Sequence, residues 1–372
     1  MAMPIATALF ALGVYLGNPD GSDPRVEQAF EQSYSGFVST MGMSPRYITA
    51  YVDGSQPVDN WAANASWQAW SNAQSPVAKH LDPVIGLQLS STDANAGSSE
   101  SQFQAFASGS HDAIVSQVVD AWVSHGFTRL IFRIGQEMNI TGISYAGDTA
   151  SSQAAWVSAF QHVSTVLRAE GRARHVALRV VWNPDTTNYT NASATRALYP
   201  GDQYVDIIGA DMYADMYPYN DTFNPPTYHN WDTGGEDTSV AQFVSDAVNR
   251  AHYWTYPAAN INCLDCSLGH SQSLDSLIAF ALLHHKPFAI PETGAGASVL
   301  GHDISDDATF PLWLGQKLKS AHNAGLQIAF VGIWNNNAGA NYHFSDPSDN
   351  KPLEAASWAK YFGARPALTM PH

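Results

Sequence analysis

A single (β/α)₈ barrel is the fold this sequence predicts, and three observations predict it. Eight short apolar runs are bounded by turn residues, helix-periodic segments separate them, and polar residues gather at their C-terminal ends. The runs cover 11–16, 47–52, 83–89, 130–134, 177–182, 205–211, 288–291 and 327–334. A doubly wound open sheet shares the β/α alternation, so the polar ends have to decide between the two. Asp53, Gln88, Glu137, Asn183, Asp211, Tyr213, Glu292, Trp334 and Asn335 converge on one mouth in a barrel, but spread along an edge in an open sheet. No glycine-rich phosphate loop follows the first run, which also disfavours a nucleotide-binding sheet.

The connections read as helices for local reasons. Asp23 and Pro24 form an N-cap and first-turn pair, Val26, Phe30, Phe37 and Val38 follow at helical spacing, and Gly42 stops the helix. Apolar stripes recur at Ile114, Val118 and Trp122, and at Trp156, Phe160, Val163 and Leu167; these are core faces. The stretch 212–286 is the longest connection and is expected to hold elaborated loops and two helices. The loop after the second run is elaborated as well. No repeat or linker divides the chain, so a single catalytic domain over 1–372, with its core at about 9–363, is expected.

Composition narrows the function. Hydrophobic residues make up 45% of the chain and charged residues 13%, enough for a large core and unlike a disordered protein. The 17 Lys and Arg against 33 Asp and Glu give a formal charge of −16 without a basic stripe, which argues against nucleic acid and anionic membrane as partners. No run approaches the ~18 apolar residues of a membrane span. The first 13 residues lack a basic n-region, so they do not read as a signal peptide, and a secreted protein whose leader has been removed is expected. Cys263 and Cys266 share a redox- or zinc-like spacing with His270 nearby, but no second ligand pair completes a tetrahedral set; a local disulfide or two free thiols are favoured over metal. The Asn-x-Ser/Thr sequons at Asn64, Asn139, Asn188, Asn191 and Asn220 matter only in a glycosylating host.

The sharpest local features are two glutamates, each where an apolar strand gives way to a loop. Glu137 ends Phe132-Arg-Ile-Gly-Gln-Glu and Glu292 ends Pro287-Phe-Ala-Ile-Pro-Glu. Strands four and seven lie on roughly opposite walls of an eight-stranded barrel, so these carboxyls can face each other across a sugar. Glycoside hydrolysis needs such a pair, one to protonate the leaving oxygen and one to meet the oxocarbenium-like centre. Either glutamate alone also reads as a loop carboxylate or a structural ion pair.

The chain resembles the clan A glycoside hydrolases, and within them family 26 most closely. The resemblance rests on Gly13-Val-Tyr-Leu-Gly17, Arg133 with Gln136-Glu137-Met-Asn139, Val181-Trp-Asn-Pro184, Val205-Asp-Ile-Ile-Gly-Ala-Asp-Met-Tyr213, Pro291-Glu-Thr-Gly294 and Trp334, in order around the barrel. It implies a retaining hydrolase with Glu137 as acid/base and Glu292 as nucleophile, Arg133 and Tyr213 supporting the nucleophile, and no metal or other cofactor. Gln136 stands where the family usually has His; clan members often have Asn there, contacting the sugar 2-hydroxyl, and the resemblance implies a similar amide contact from Gln136. The implied substrate is a β-linked polysaccharide cut internally, β-mannan first, with β-glucan, xylan or bacterial exopolysaccharide next. The contrasting reading is a silent barrel that binds polysaccharide in glycan export or surface assembly.

Other candidates are weighed against plain packing. Glu137 needs a raised pKa, expected from partial burial and from Glu292. Trp334 is the candidate floor of the cleavage subsite, where a sugar stacks on a flat ring. Trp182 and Asn183 are candidates to line that pocket from strand five, although Trp182 reads equally as a core residue facing a helix. Asp211, Asp53 and Asn335 are further strand-end candidates for sugar hydroxyls, or for fixing Arg133. Trp61, Trp67 and Trp70, and Tyr217, Tyr219, Tyr228 and Trp231, crowd the loops after strands two and six; those exposed are expected to make an extended glycan cleft, Trp231 binding substrate, while others close the loops on themselves. A metallohydrolase needs His converging from strand ends, and His284 and His285 instead precede strand seven. A monomer is expected.

Overall fold

The computed structural model describes residues 9–364 except 21, 141–144, 148, 187–191, 215–227, 230–235, 238–249, 252–253, 255–272, 296–297, 300–301, 304–305 and 338–340. Eight parallel strands close into a barrel: β1 (Leu12–Tyr15), β2 (Tyr47–Tyr51), β3 (Asp82–Leu87), β4 (Arg129–Ile134), β5 (Ala177–Trp182), β6 (Ile207–Gly209), β7 (Phe288–Gly294) and β8 (Ile328–Trp334). Closure is made by β8, which pairs with β7 on one side and with β1 on the other, Leu12 opposite Val331 and Tyr15 opposite Trp334. The expected run 205–211 is interrupted at its end. After β6 the chain rejoins the sheet as Met212–Tyr213, against Thr293 and Gly294, while Asp211 bridges to Asp185.

The helices form where their caps and stripes place them. Helix α1 (Pro24–Met41) starts at Asp23, whose side chain accepts from the Arg25 amide, and ends at Gly42 in the left-handed region, φ 66°. It buries Phe30, Phe37 and Met41. Helices α2 (Trp61–Gln74), α3 (Ser99–Ala107), α4 (Asp112–Ser124) and α5 (Ala150–Ala173) follow, and α5 opens on a capping box between Thr149 and Ser152. Its Trp156, Phe160, Val163 and Leu167 all face the core. Of the two helices expected in 212–286, α7 (Leu274–Leu283) is described, α6 (Ala192–Ala197) preceding it and α8 (Thr309–Asn323) and α9 (Pro352–Phe362) following. Tyr217, Tyr219, Trp231, Cys263, Cys266 and His270 lie outside the described residues. Among the described residues no helix is long and apolar enough to cross a membrane.

Strand parity builds the site. Side chains alternate across a strand, and Tyr47, Val84, Ile131, Val181, Ile207, Ala289 and Phe330 form a separate apolar floor inside the barrel. Two residues further on, the same inward faces carry Arg133 on β4 and Asn183 just beyond β5. On β7, parity from Ala289 would turn Glu292 outward. The register shifts between Ile290 and Thr293, and this irregularity brings Glu292 to the inside instead.

Candidate active site

Glu292 is only 9% exposed, and donors surround it. Tyr51 Oη donates to Oε1 at 2.6 Å, and Tyr213 Oη donates to Oε2 at 2.8 Å. Arg133 Nη1 lies 2.6 Å from Oε1. The guanidinium is fully buried and each nitrogen has a partner: Nη2 reaches Asp211 Oδ2 at 2.6 Å, Nε reaches Asn183 Oδ1 at 3.0 Å, and Nη1 also donates to Tyr51 Oη at 3.0 Å. Burial opposes the charge of Arg133, but the Asp211 and Glu292 carboxylates outweigh it and hold the group protonated. Burial, reinforced by Glu292, pushes the Tyr51 and Tyr213 hydroxyls well up, so both remain donors.

The setting of Glu137 is the opposite. It lies beyond β4 in the left-handed region, φ 57°, two residues after Gly135 at φ 51°, where a Cβ would come to 2.9 Å from Trp156 Nε1. A non-glycine residue there is a strained conformation that its surroundings must hold. They do so through the β5 end. The Glu137 amide donates to Asn183 O at 2.8 Å; Asn139 Nδ2 donates to Asp185 O at 3.0 Å and to Thr195 Oγ1 at 2.9 Å; and Asn139 Oδ1 accepts from the Asp185 amide at 2.8 Å. One carboxylate oxygen from each of Glu137, Asp211 and Glu292 lies within 4.8 Å of the others. Burial, then Asp185, then Glu292 push the Glu137 carboxyl well above its usual range. Asp211 is raised too, by burial first and by Glu292 and Glu137, against the pull of Arg133. Two acids this close, each raised by burial and by its neighbours' charge, resist ionising together.

Aromatic rings wall the pocket. Trp334 lies 4.0 Å from Tyr15 and 6.0 Å from Tyr51 between ring centroids, and Tyr342 sits 4.9 Å from Tyr213. The Tyr145 hydroxyl is raised by burial and then by the charge of Glu137 and Glu292. Buried Gln136 Oε1 and Trp334 Nε1 have no hydrogen-bond partner among the described residues, an acceptor and a donor left for hydroxyls from outside the protein.

Several expected sugar contacts are corrected by this geometry. Trp182 is fully buried, donates from Nε1 to Leu198 O at 3.0 Å and packs on Tyr199 and Phe280; one position past inward-facing Val181, it faces the helix layer. The Asn183 amide is spent on Arg133 and Pro184 O, and Asp211 Oδ2 on Arg133, so both hold the buried guanidinium rather than line the cleft. Asn335 is buried and closes the loop after β8, with Nδ2 donating to Ser345 Oγ and Oδ1 accepting from the Phe344 amide. Asp53 caps its own turn through Ser55, and Trp61 is core. Trp231 lies outside the described residues. Glu137, Glu292, Arg133, Tyr213, Gln136 and Trp334 remain together at one mouth, joined by Tyr51, Asn139, Tyr145 and Asp185, which sequence reasoning passed over.

Residues 93–230 match the model of glycosyl hydrolase family 26, a segment that holds Glu137, Asp185 and Asp211 but stops short of Glu292. Over that segment the chain is similar to family 26, and it is a glycoside hydrolase. Solved structures share its fold across nearly the whole chain. A modular endo-β-1,4-mannanase from Cellulomonas fimi is 15% identical, TM-score 0.51, over 94% of this chain and 70% of that one. The catalytic domain of an endo-β-1,4-mannanase from Bacillus sp. JAMB-750 is 13% identical, TM-score 0.50, over 95% and 85%. A fungal β-1,4-galactanase is 10% identical, TM-score 0.51, over 95% and 99%. No curated protein sequence matches the chain.

Proposed function

We propose that this glycoside hydrolase cleaves a β-linked polysaccharide internally and with retention, by double displacement. The observation that carries the reading is the separation of Glu137 and Glu292, whose nearest carboxylate oxygens lie within 4.8 Å. Retaining enzymes hold the pair about 5–5.5 Å apart, whereas inverting enzymes leave about 6.5–9.5 Å for a water. Glu292, ringed by Arg133 and two tyrosines, attacks the anomeric carbon. The bond to the leaving oxygen breaks, its electron pair stays on that oxygen, and Glu137 supplies the proton. Glu137, now a carboxylate, then takes a proton from water as the water oxygen attacks the same carbon, and the ester bond returns its pair to Glu292.

The mannanases of like fold and the family 26 match favour β-mannan as substrate; the galactanase of like fold makes β-galactan the next choice, ahead of β-glucan, xylan or bacterial exopolysaccharide. Polymers of that size are met outside the cell, so secretion is part of the proposal. A reducing-sugar assay of the wild type and Glu292→Ala on mannan, galactan, mixed-linkage glucan, xylan and bacterial exopolysaccharides tests it. Turnover on one of these that falls about 10⁴-fold or more in the variant is expected. Equal turnover of both proteins, or glycan affinity without cleavage, contradicts it.

A further inference from the structure

Tyr51 lies outside the segment that matches family 26, and it reaches Glu292 from a strand 241 residues earlier. We propose that Tyr51 decides which oxygen of Glu292 attacks: with Arg133 it fills Oε1, which leaves Oε2 as the nucleophilic atom and makes Oε1 the carbonyl oxygen of the glycosyl ester. This rests on the hydrolase reading above.

An ionised carboxylate offers about two lone-pair sites on each oxygen. Oε1 faces two donors, Tyr51 Oη at 2.6 Å and Arg133 Nη1 at 2.6 Å. Among the described residues Oε2 faces one, Tyr213 Oη at 2.8 Å, which leaves one lone pair there for carbon. The Tyr51 hydroxyl is held to this task from several sides. Arg133 Nη1 donates to its oxygen, which directs its proton to Oε1. The guanidinium carbon lies 5.7 Å from the ring centroid, Tyr15 meets the ring edge-on at 5.7 Å, and Trp334 stands 6.0 Å away. On β3 the residue alongside is Gly86, where a Cβ would fall 2.5 Å from the Tyr51 ring; only glycine leaves the ring this place.

The arrangement affects the two chemical steps unequally. In the first, an Oε2 lone pair forms the bond to the anomeric carbon while the leaving oxygen departs with its pair and the proton of Glu137. Glu292 passes from a full negative charge, through a partial one, to a neutral ester. In the second, water replaces Oε2 at carbon and the charge returns. A donor on Oε1 stabilises the full charge most and the ester least. Removing it therefore hinders the return of charge to Glu292 and leaves its loss unhindered.

The test uses 2,4-dinitrophenyl β-glycosides of mannobiose, galactobiose, cellobiose and xylobiose, whose leaving group needs no proton, followed by stopped flow. Tyr51→Phe is expected to slow ester hydrolysis about tenfold, with sugar transfer to Glu292 unchanged or faster. The burst of dinitrophenol then reaches one per enzyme, and KM falls together with kcat. Replacing Tyr51 by 3-fluorotyrosine keeps the ring and strengthens the donor, so ester hydrolysis is expected to accelerate; this variant decides the matter should the Phe variant fail to fold. Equal slowing of both steps, or no change in either step in a wild type that does show turnover, overturns the assignment of Tyr51 alone. A wild type that releases dinitrophenol no faster than Glu292→Ala from every probe overturns the hydrolase reading, and this assignment falls with it.

Discussion

Glu137 and Glu292 are the same residue type with oxygens less than 5 Å apart, and their surroundings have opposite character. Glu292 is met by a guanidinium and two phenols, every one of them a donor. Glu137 is met by carboxyls, with Asp211 and Glu292 oxygens within 4.8 Å and Asp185 acting through space. The donors around Glu292 orient its two oxygens, whereas burial and the neighbouring acids raise Glu137, which suits the acid role proposed for it. The backbones differ as well. Glu292 is turned into the barrel by an irregularity within β7, whereas Glu137 sits beyond its strand in a left-handed conformation stapled to the next loop by Asn139. Opposed roles therefore come from the neighbours contributed by other strands, not from the glutamates themselves.

The contrast breaks most severely at Arg133, which serves both halves. Arg133→Met leaves Asp211 and Glu292 buried without their cation, and losing one partner of such a pair costs about 3–5 kcal/mol. Urea unfolding is expected to show a drop of that size together with near-complete loss of turnover. Arg133→Lys is expected to rescue neither fully, because one ammonium cannot serve partners placed on three separate nitrogens.

A milder change acts on the acid half alone. Asp185→Asn removes the second-largest cause of the raised Glu137 value. In the proposed mechanism the acid form of Glu137 is needed for the first step, so activity is expected to fall as pH rises through its pKa; in this variant that alkaline limb is expected at lower pH, with the acid limb in place. Stability carries the same sign. A carboxyl raised on folding stabilises fully below its unfolded pKa, and that contribution is lost as pH rises through the folded one. The variant is expected to lose less stability than the wild type over that window, read from denaturant midpoints across pH. An unmoved alkaline limb would mean that Asp185 serves only the backbone bridge to Asp211.

What the sequence disclosed and what it hid follow from range. The barrel was legible because each strand carries its own signal, an apolar run between breakers, and α1 because Asp23, Pro24 and Gly42 mark its ends locally. Both glutamates were legible because each closely follows a short apolar run, 130–134 and 288–291. Tyr51 was hidden within a strand, where a tyrosine reads as ordinary β-sheet filler, and its partners lie 82 and 241 residues away. Asp185 and Asn139 act through a loop-to-loop staple that no periodicity encodes. Trp182 was open to better reading: inward Val181 and inward Asn183 leave the residue between them facing out. Asn335 and Asp211 were rightly seen as strand-end residues, but their partners, and hence their tasks, appear only once the barrel has closed.

The most direct test of the division of labour is labelling with a 2,4-dinitrophenyl 2-deoxy-2-fluoro-β-glycoside of the sugar the enzyme cleaves, followed by peptide mass mapping. The account predicts one sugar per enzyme, attached to the peptide that contains Glu292, and a label that forms as readily in Glu137→Gln because this leaving group needs no acid. A sugar carried instead on the peptide containing Glu137, or turnover of the parent substrate with no covalent label on either, would contradict it.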